Sequence, residues 1–258
     1  MPLSSSALRS ALRRIGADAP VRFDEVTAST QETAEALAAS GAPEWTLVGA
    51  GHQTAGRGRL GRTWADVPGA LLVSIVLRPG VRPERAGLIT LLAGAAMAEA
   101  LAGLAGIEVG CRWPNDLVLP GPGGAKVGGI LATSVADADR IVHVVLGLGV
   151  NLGAAPEGVP GAGAVAGTDA AELLGAFLER FAAGYGRQGS GLGAEVLGRY
   201  RRVCATLGRP VRARTTAGEV VEGIAEDVDE LGGLIVRTAS GARPVRFGEI
   251  EHLDALPG

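Results

Sequence analysis

Hydrophobic positions change their spacing several times along the chain, and each change marks an element. Residues 4–15 place Leu8, Ala11, Leu12 and Ile15 at helical intervals, which predicts a short amphipathic helix. Residues 21–27 predict a strand, and residues 31–39 a helix with Ser29 or Thr30 as its cap. Segments 45–50 and 71–77 are apolar runs of strand length. Residues 85–104 are apolar nearly all round, as a well-buried helix is. Strands are expected at 107–112, 117–119, 128–134 and 141–149, a long loop at 153–167, and helices at 170–185 and 192–204. From residue 210 the pattern shortens to alternating segments at 211–214, 220–224, 234–237 and 245–247, with Asp229, Gly232 and Gly233 among the turn residues between them. That pattern predicts a small β-barrel or sandwich, with a boundary near Leu207 that divides the chain into residues 1–206 and 207–258.

Composition narrows the function classes. The 258 residues are 47% hydrophobic and 20% charged with net charge -3, a globular composition with no bulk attraction for nucleic acid or an anionic membrane. No apolar run free of charges and turn residues reaches the ~20 residues of a membrane span. Residues 4–15 carry Ser and Arg without acids, as transit peptides do. Arginine is enriched throughout, however, so the capped helix is the better reading. Cys111 and Cys204 form no metal or redox spacing and are read as buried small hydrophobes in a reducing compartment, which points to the cytoplasm. His52, His143 and His252 form no ligand spacing.

Lys126 is the only lysine among 24 basic residues, the other 23 being arginine. It sits in Gly123-Gly124-Ala125-Lys126-Val127-Gly128-Gly129-Ile130, where small residues let a ligand approach the backbone. An ammonium is a compact point charge and a guanidinium a broad planar fork, so a crowded site between two anionic oxygens retains the former. Position alone is equally consistent with chance survival.

Three further stretches carry chemistry. Gly56-Arg57-Gly58-Arg59-Leu60-Gly61-Arg62, followed by Thr63 and Trp64, lies between two apolar strands. Its glycines offer backbone N–H groups to anions and its guanidinium forks match phosphates and carboxylates. It reads as a mobile cationic loop rather than a regular element, with Trp64 placed to stack on a flat ring. An RG-type segment touching RNA or nothing is the blander alternative. Arg112-Trp113-Pro114-Asn115-Asp116-Leu117 follows a predicted strand; Asn can read a heterocyclic edge, and Asp can hold Mg²⁺ or accept a proton from an amine. Alone it reads more readily as an ordinary turn. Gly147-Leu148-Gly149-Val150-Asn151-Leu152 ends a strand on an isolated Asn.

Together, in this order, these stretches resemble biotin–protein ligase (biotin–[acetyl-CoA-carboxylase] ligase). That family has a Gly-Arg-Gly-Arg-x-Gly-Arg loop, Lys-Trp-Pro-Asn-Asp, Lys-x-x-Gly-Ile-Leu and a Gly-x-Asn-x strand end. Its Ser-Thr-Asn corresponds to Ser29-Thr30-Gln31, and the Gln before its loop to Gln53. Gln31 replaces the usual Asn, and Arg112 the usual Lys, so the drift to arginine reached residue 112 but not residue 126. The resemblance implies an α+β fold: a mixed β-sheet flanked by helices, like class II aminoacyl-tRNA synthetases, with a C-terminal SH3-like barrel. It implies the short form of the family without an N-terminal DNA-binding domain, since the first core strand begins at residue 21.

The activity implied is ATP-dependent conversion of biotin to biotinyl-5′-AMP, then transfer of biotin to a lysine of a biotin carboxyl carrier protein. Lys126 would bridge the biotin carboxylate and the α-phosphate. Arg57 and Arg59 would cover the acyl-phosphate, and Arg62 and Arg112 would guide the triphosphate. Ser29, Thr30, Gln31 and Gln53 would satisfy the ureido ring, with Gly58 and Gly128 lining the biotin site. Trp64 would stack on adenine, with Asn115 and Asn151 beside the nucleotide, and Asp116 would orient or deprotonate the acceptor lysine. Mg²⁺ is assumed to accompany ATP, and no residue is assigned as its ligand. DNA and membranes are not expected partners; the oligomeric state stays open, a homodimer included. Lipoate or octanoyl transfer on the same fold, a biotin-responsive repressor and a non-catalytic interaction module are the competing readings.

Overall fold

The computed structural model describes residues 2–121, 123–215, 218–246 and 248–253. Phe247, the end of the expected strand segment at 245–247, lies outside the described residues.

Seven strands form the main sheet: β1 (Val21–Thr27), β2 (Leu47–Gln53), β3 (Leu71–Leu77), β4 (Gly110–Arg112), β5 (Asp116–Val118), β6 (Lys126–Ala136) and β7 (Ile141–Val150). Their order is β1-β2-β3-β7-β6-β5-β4. β1 and β2 run parallel and the other neighbours antiparallel, which makes the sheet mixed. All seven residues of β3 are buried, because helices cover both faces. On one side lies α2 (Thr30–Ala39), packed on β2, β3 and β7. On the other lie α3 (Ala86–Ala105) and α4 (Ala170–Tyr185), with α1 (Ser5–Arg14) against α4 and α5 (Ala194–Val203) against α3.

Local chemistry sets these boundaries. The Ser4 hydroxyl accepts from Ala7 N–H to start α1, whose Leu8, Ala11 and Leu12 are buried. Asp169 caps α4 in the same way through Glu172 N–H. Gly106, at φ 64°, ends α3 in the left-handed conformation that glycine adopts most readily. By length and composition alone Pro83–Ala105 could cross a bilayer, but charges and a proline interrupt it and most of it is buried in the protein, the position of a core helix.

The expected strand at 107–112 is reduced to β4, and the one at 128–134 grows to β6 through its long pairing with β7. The loop over 153–167 is tied down by bridges Lys126↔Ala162 and Leu152↔Val165. After α5, strands β8 (Pro210–Thr215), β9 (Val220–Val228), β10 (Leu234–Thr238), β11 (Gly241–Val245) and β12 (Gly248–His252) form an antiparallel sheet of order β11-β10-β9-β8-β12. Its buried Val211, Ala213, Val228, Leu234 and Val236 join the same apolar core as the main sheet.

Candidate active site

Cross-strand register places the site. Ser74 of β3 pairs with Gly147 of β7, and Gly147 with Leu131 of β6; one row along, Leu72, Gly149, Gly129 and Asp116 line up across β3, β7, β6 and β5. Side chains two apart share a face, so these rows form one surface on the α2 side of the sheet. Glycine in the rows makes the surface concave. A Cβ on Gly149 would stand 2.8 Å from the Trp64 ring, and one on Gly147 would stand 2.5 Å from Gln31 Oε1. The Trp64 indole and the Gln31 amide therefore lie directly on the sheet.

The register slips between Leu117 and Val118, so Val118 faces Lys126 and Leu117 faces Gly128. A bulge of this kind re-aims a side chain. Val127 is buried in the core, while Lys126 reaches the site face. Its Nζ lies 2.6 Å from Asp116 Oδ1 and 5.9 Å from the centroid of the Trp64 ring.

The cavity measures about 160 Å³ and has a polar end and a cationic end. At the polar end, the Gln53 side-chain oxygen accepts from Thr30 N–H (2.8 Å) and from the Thr30 hydroxyl (3.1 Å). The Ser74 hydroxyl lies 3.0 Å from Thr30 Oγ1 and 3.2 Å from Gln31 Oε1. Gln31 Nε2 donates to Thr133 Oγ1 (2.9 Å) and to Val145 O (3.0 Å). Ser29 Oγ is buried in this wall without a protein partner among the described residues. A buried hydroxyl in that condition is a ready donor or acceptor for a ligand.

At the cationic end the arginine loop is a small hairpin. Arg57 bridges Thr63, Gly58 N–H donates to Arg62 O at 2.7 Å, and a short 3-10 turn covers Arg59–Gly61. The loop is thus more regular than its composition predicts, with Leu60 in the left-handed region at φ 55°. It straddles the cavity: Arg57 pairs with Glu32 and Glu35 of α2, both at 3.4 Å, while Arg59 Nη1 donates to Asn115 Oδ1 at 3.0 Å on the opposite wall. Asn115 Nδ2 donates to Ile130 O, fixing the turn to β6. Arg112 Nη2 donates to Gly123 O (2.8 Å) and Gly124 O (2.9 Å), steadying the segment that leads to Lys126. The cis Trp113-Pro114 peptide lies in this turn. Trp113 anchors the turn from behind: its N–H donates to Thr206 Oγ1 and its ring Nε1 to Gly232 O of the β9–β10 connection.

Ser29, Thr30, Gln31, Gln53, Arg57, Gly58, Arg59, Arg62, Trp64, Arg112, Asn115, Asp116 and Lys126 all border the cavity. Gly128 and Asn151 do not. A Cβ on Gly128 would meet Gly149 O and the Leu117 side chain at 2.8 Å, so that glycine serves strand packing. Asn151 is 2% exposed and turned toward the 153–167 segment, donating Nδ2 to Gly163 O. Sequence reasoning missed Ser74, Thr133 and Glu35. Ser74 could have been found, as a lone hydroxyl in the otherwise apolar run Leu-Leu-Val-Ser-Ile-Val-Leu. Thr133 and Glu35 depend on register and helix phase and leave no comparable signal.

Residues 23–151, which build the glycine-floored cavity, the arginine hairpin and the lysine beside it, match the Biotin/lipoate A/B protein ligase family, a class of ligases. The Biotin protein ligase C terminal domain matches residues 206–253. The chain belongs to the biotin protein ligase family. It is 36% identical to the biotin–[acetyl-CoA-carboxylase] ligase of Mycobacterium tuberculosis, over 98% of this chain and 96% of that protein. It is 31% identical to the bifunctional ligase/repressor BirA of Bacillus subtilis, over 96% of this chain and 79% of that protein. Among solved structures it resembles the Aquifex aeolicus biotin protein ligase in complex with biotin and ATP, with TM-score 0.73 and 25% identity over 92% of this chain and 99% of that one.

Proposed function

We propose that this protein activates biotin with ATP and transfers it, as a biotin–[acetyl-CoA-carboxylase] ligase, to a lysine of a biotin carboxyl carrier protein. The observation that carries the reading is the position of Lys126. One ammonium stands at the cationic end of the cavity, paired with Asp116 and beside Trp64, with the amide- and hydroxyl-lined end across from it.

In the first step a carboxylate oxygen of biotin attacks the α-phosphorus of ATP, and the bond to the β-phosphate oxygen breaks, releasing pyrophosphate. Both reactants are anions, so the repulsion between them is the main obstacle that cations must offset. Lys126 bridges the two, and Arg57, Arg59 and Arg62 supply further positive charge from the loop. In the second step a neutral amine of the carrier attacks the acyl carbon, AMP leaves, and the amine proton passes to Asp116. Thr30, Gln53 and Ser29 receive the ureido ring, while Gln31, whose amide atoms are held by Thr133, Val145 O and Ser74, shapes that end of the pocket. Trp64 offers its ring to adenine, and Arg112 holds the glycine segment before Lys126.

Mg²⁺ enters as part of the ATP complex. Among the described residues Asp116 is the one carboxylate bordering the cavity, where Lys126 engages it, and no group of three or more metal-binding side chains occurs. The free Cys111 and Cys204 fit a reducing cytoplasm. We read residues 207–258 as a unit that braces the Trp113 turn.

Calorimetry with biotin, then ATP, with lipoate as comparator, tests the proposal. Biotin binding at micromolar or tighter affinity with pyrophosphate release on adding ATP is expected; binding of lipoate in preference to biotin would overturn it.

A further inference from the structure

Gln31 lies in the first turn of α2 and is 3% exposed, yet its side chain borders the cavity. Its amide spans three strands of the sheet. Nε2 donates to Thr133 Oγ1 of β6 and to Val145 O of β7, while Oε1 lies 3.2 Å from the Ser74 hydroxyl of β3. A glutamine amide has two protons, and the sheet engages both, so none is left for a ligand carbonyl. Gly147 stands beneath this amide, paired with Ser74 on one side and Leu131 on the other. A Cβ on Gly147 would meet Gln31 Oε1 at 2.5 Å, whereas its next contacts, Gln31 Cδ and Leu131 O, lie at an ordinary 3.5 Å. The room that this glycine leaves is therefore filled by one atom, the Gln31 side-chain oxygen.

We propose that Gln31 is a specificity-determining residue of the polar end, and that it acts by filling space rather than by bonding the ligand's head group. Held by three strands, the amide is a fixed stop. A head group that reaches past it meets a side chain with no free rotamer to adopt. Well-packed sites do not absorb such an intrusion: overfilling by one methyl group weakens binding by about tenfold. Asparagine at this position is shorter by one carbon–carbon bond, about 1.5 Å, and would leave the room over Gly147 open. The head group admitted is thus an unsubstituted cyclic urea, and one enlarged on a ring nitrogen is refused. The identity of that head group rests on the ligase reading; the filling of the Gly147 space by Gln31 does not.

A mutant cycle without ligand judges the filling. Gly147→Ala is expected to lower the urea midpoint of wild type, and to lower it clearly less in a Gln31→Asn background, where the new methyl group has room. Equal losses in the two backgrounds overturn the proposal. Should Gly147→Ala alone not fold, a folded double variant reports the same relief, and an unfolded one overturns the proposal. Calorimetry with biotin, and with each of the two biotins methylated on one ureido nitrogen, judges the stop. Wild type should bind biotin about tenfold or more tightly than either methylated form. Gln31→Asn should narrow that ratio about fivefold for at least one of them, near the gain from burying one methyl group. Gln31→Met keeps the length without the amide; it should preserve the ratio and bind biotin within about tenfold of wild type. A larger loss of biotin affinity in Gln31→Met would mean that the amide bonds the ligand, and an unchanged ratio in Gln31→Asn that it is no stop; either result overturns the proposal. If wild type binds no biotin the ligase reading fails, while the ligand-free cycle still decides whether Gln31 fills the space.

Discussion

Lys126 Nζ lies 2.6 Å from Asp116 Oδ1, across neighbouring strands whose register slips by one residue to bring them together. The pair is half-exposed at the cavity and fixes the ammonium on the side of the Trp64 ring. A planar guanidinium is broader than an ammonium and would crowd both neighbours. Lys126→Ala is expected to lower pyrophosphate release on the order of 10²-fold or more, the loss typical of removing one preorganised donor. Lys126→Arg should also be poor. Full activity in the arginine variant would show that the compact charge is incidental.

The glycine strip under Trp64 gives a second prediction. A methyl group on Gly149 would stand within 2.8–2.9 Å of two ring carbons, closer than non-bonded carbons approach, so the indole must move. Displacing a substrate-positioning group by about 1 Å can cost 10²-fold. Gly149→Ala should therefore lower kcat/KM for ATP by about that factor. Steady-state kinetics with varied ATP would refute the role if the value stayed within twofold of wild type.

How much of this was legible in the sequence differs by layer. The long helices, β3, β7 and the strands β8, β9 and β10 were visible because apolar spacing reports burial directly, whereas the segment expected at 245–247 overlaps only the last residue of β11, and neither β11 nor β12 was read from the sequence. The arginine hairpin, Lys126 and the turn at residues 112–117 were visible because glycine and charge interrupt apolar runs. What stayed hidden is set by pairing. The slip opposite Leu117/Val118 aims Lys126, and nothing in the local pattern announces it. Asn151 was read as a nucleotide contact because it ends a strand beside glycines; its contact with Gly163 O in the 153–167 segment is set by the fold of that segment and leaves no local signal. Cys111 and Cys204, far apart in sequence, sit side by side as bridge partners.

Ser74 links the two halves of the polar end, so its removal should register in both stability and binding. Its hydroxyl is fully buried between Thr30 Oγ1 and Gln31 Oε1. Ser74→Ala leaves buried acceptors short of a donor, at a cost of about 1–3 kcal/mol. Urea unfolding should show that loss, and titration should show weaker biotin binding. A variant with wild-type values in both would mean that Gln31 is held adequately by Thr133 and Val145 alone.

The C-terminal sheet should make stability depend on pH through His252. Its Nε2 lies 3.1 Å from Thr206 Oγ1, the same hydroxyl that accepts from Trp113 N–H behind the site turn. With its single proton, the Thr206 hydroxyl suits a neutral imidazole that accepts at Nε2. Burial, then the nearby charges of Arg112 and Arg209, push the His252 pKa down to about 4 from 6.5. Between those values the unfolded chain binds a proton that the folded protein refuses, so the unfolded state holds more protons and stability falls as the pH is lowered. The loss begins near pH 6.5 and is complete near pH 4; above pH 6.5 this histidine contributes no slope. Denaturant unfolding at pH 7.5 and pH 5 should show a drop in wild type that is smaller in His252→Gln, whose amide cannot take up the proton. An equal drop in both proteins would assign the acid sensitivity to other groups and remove His252 as the titrating link between the second sheet and the Trp113 turn.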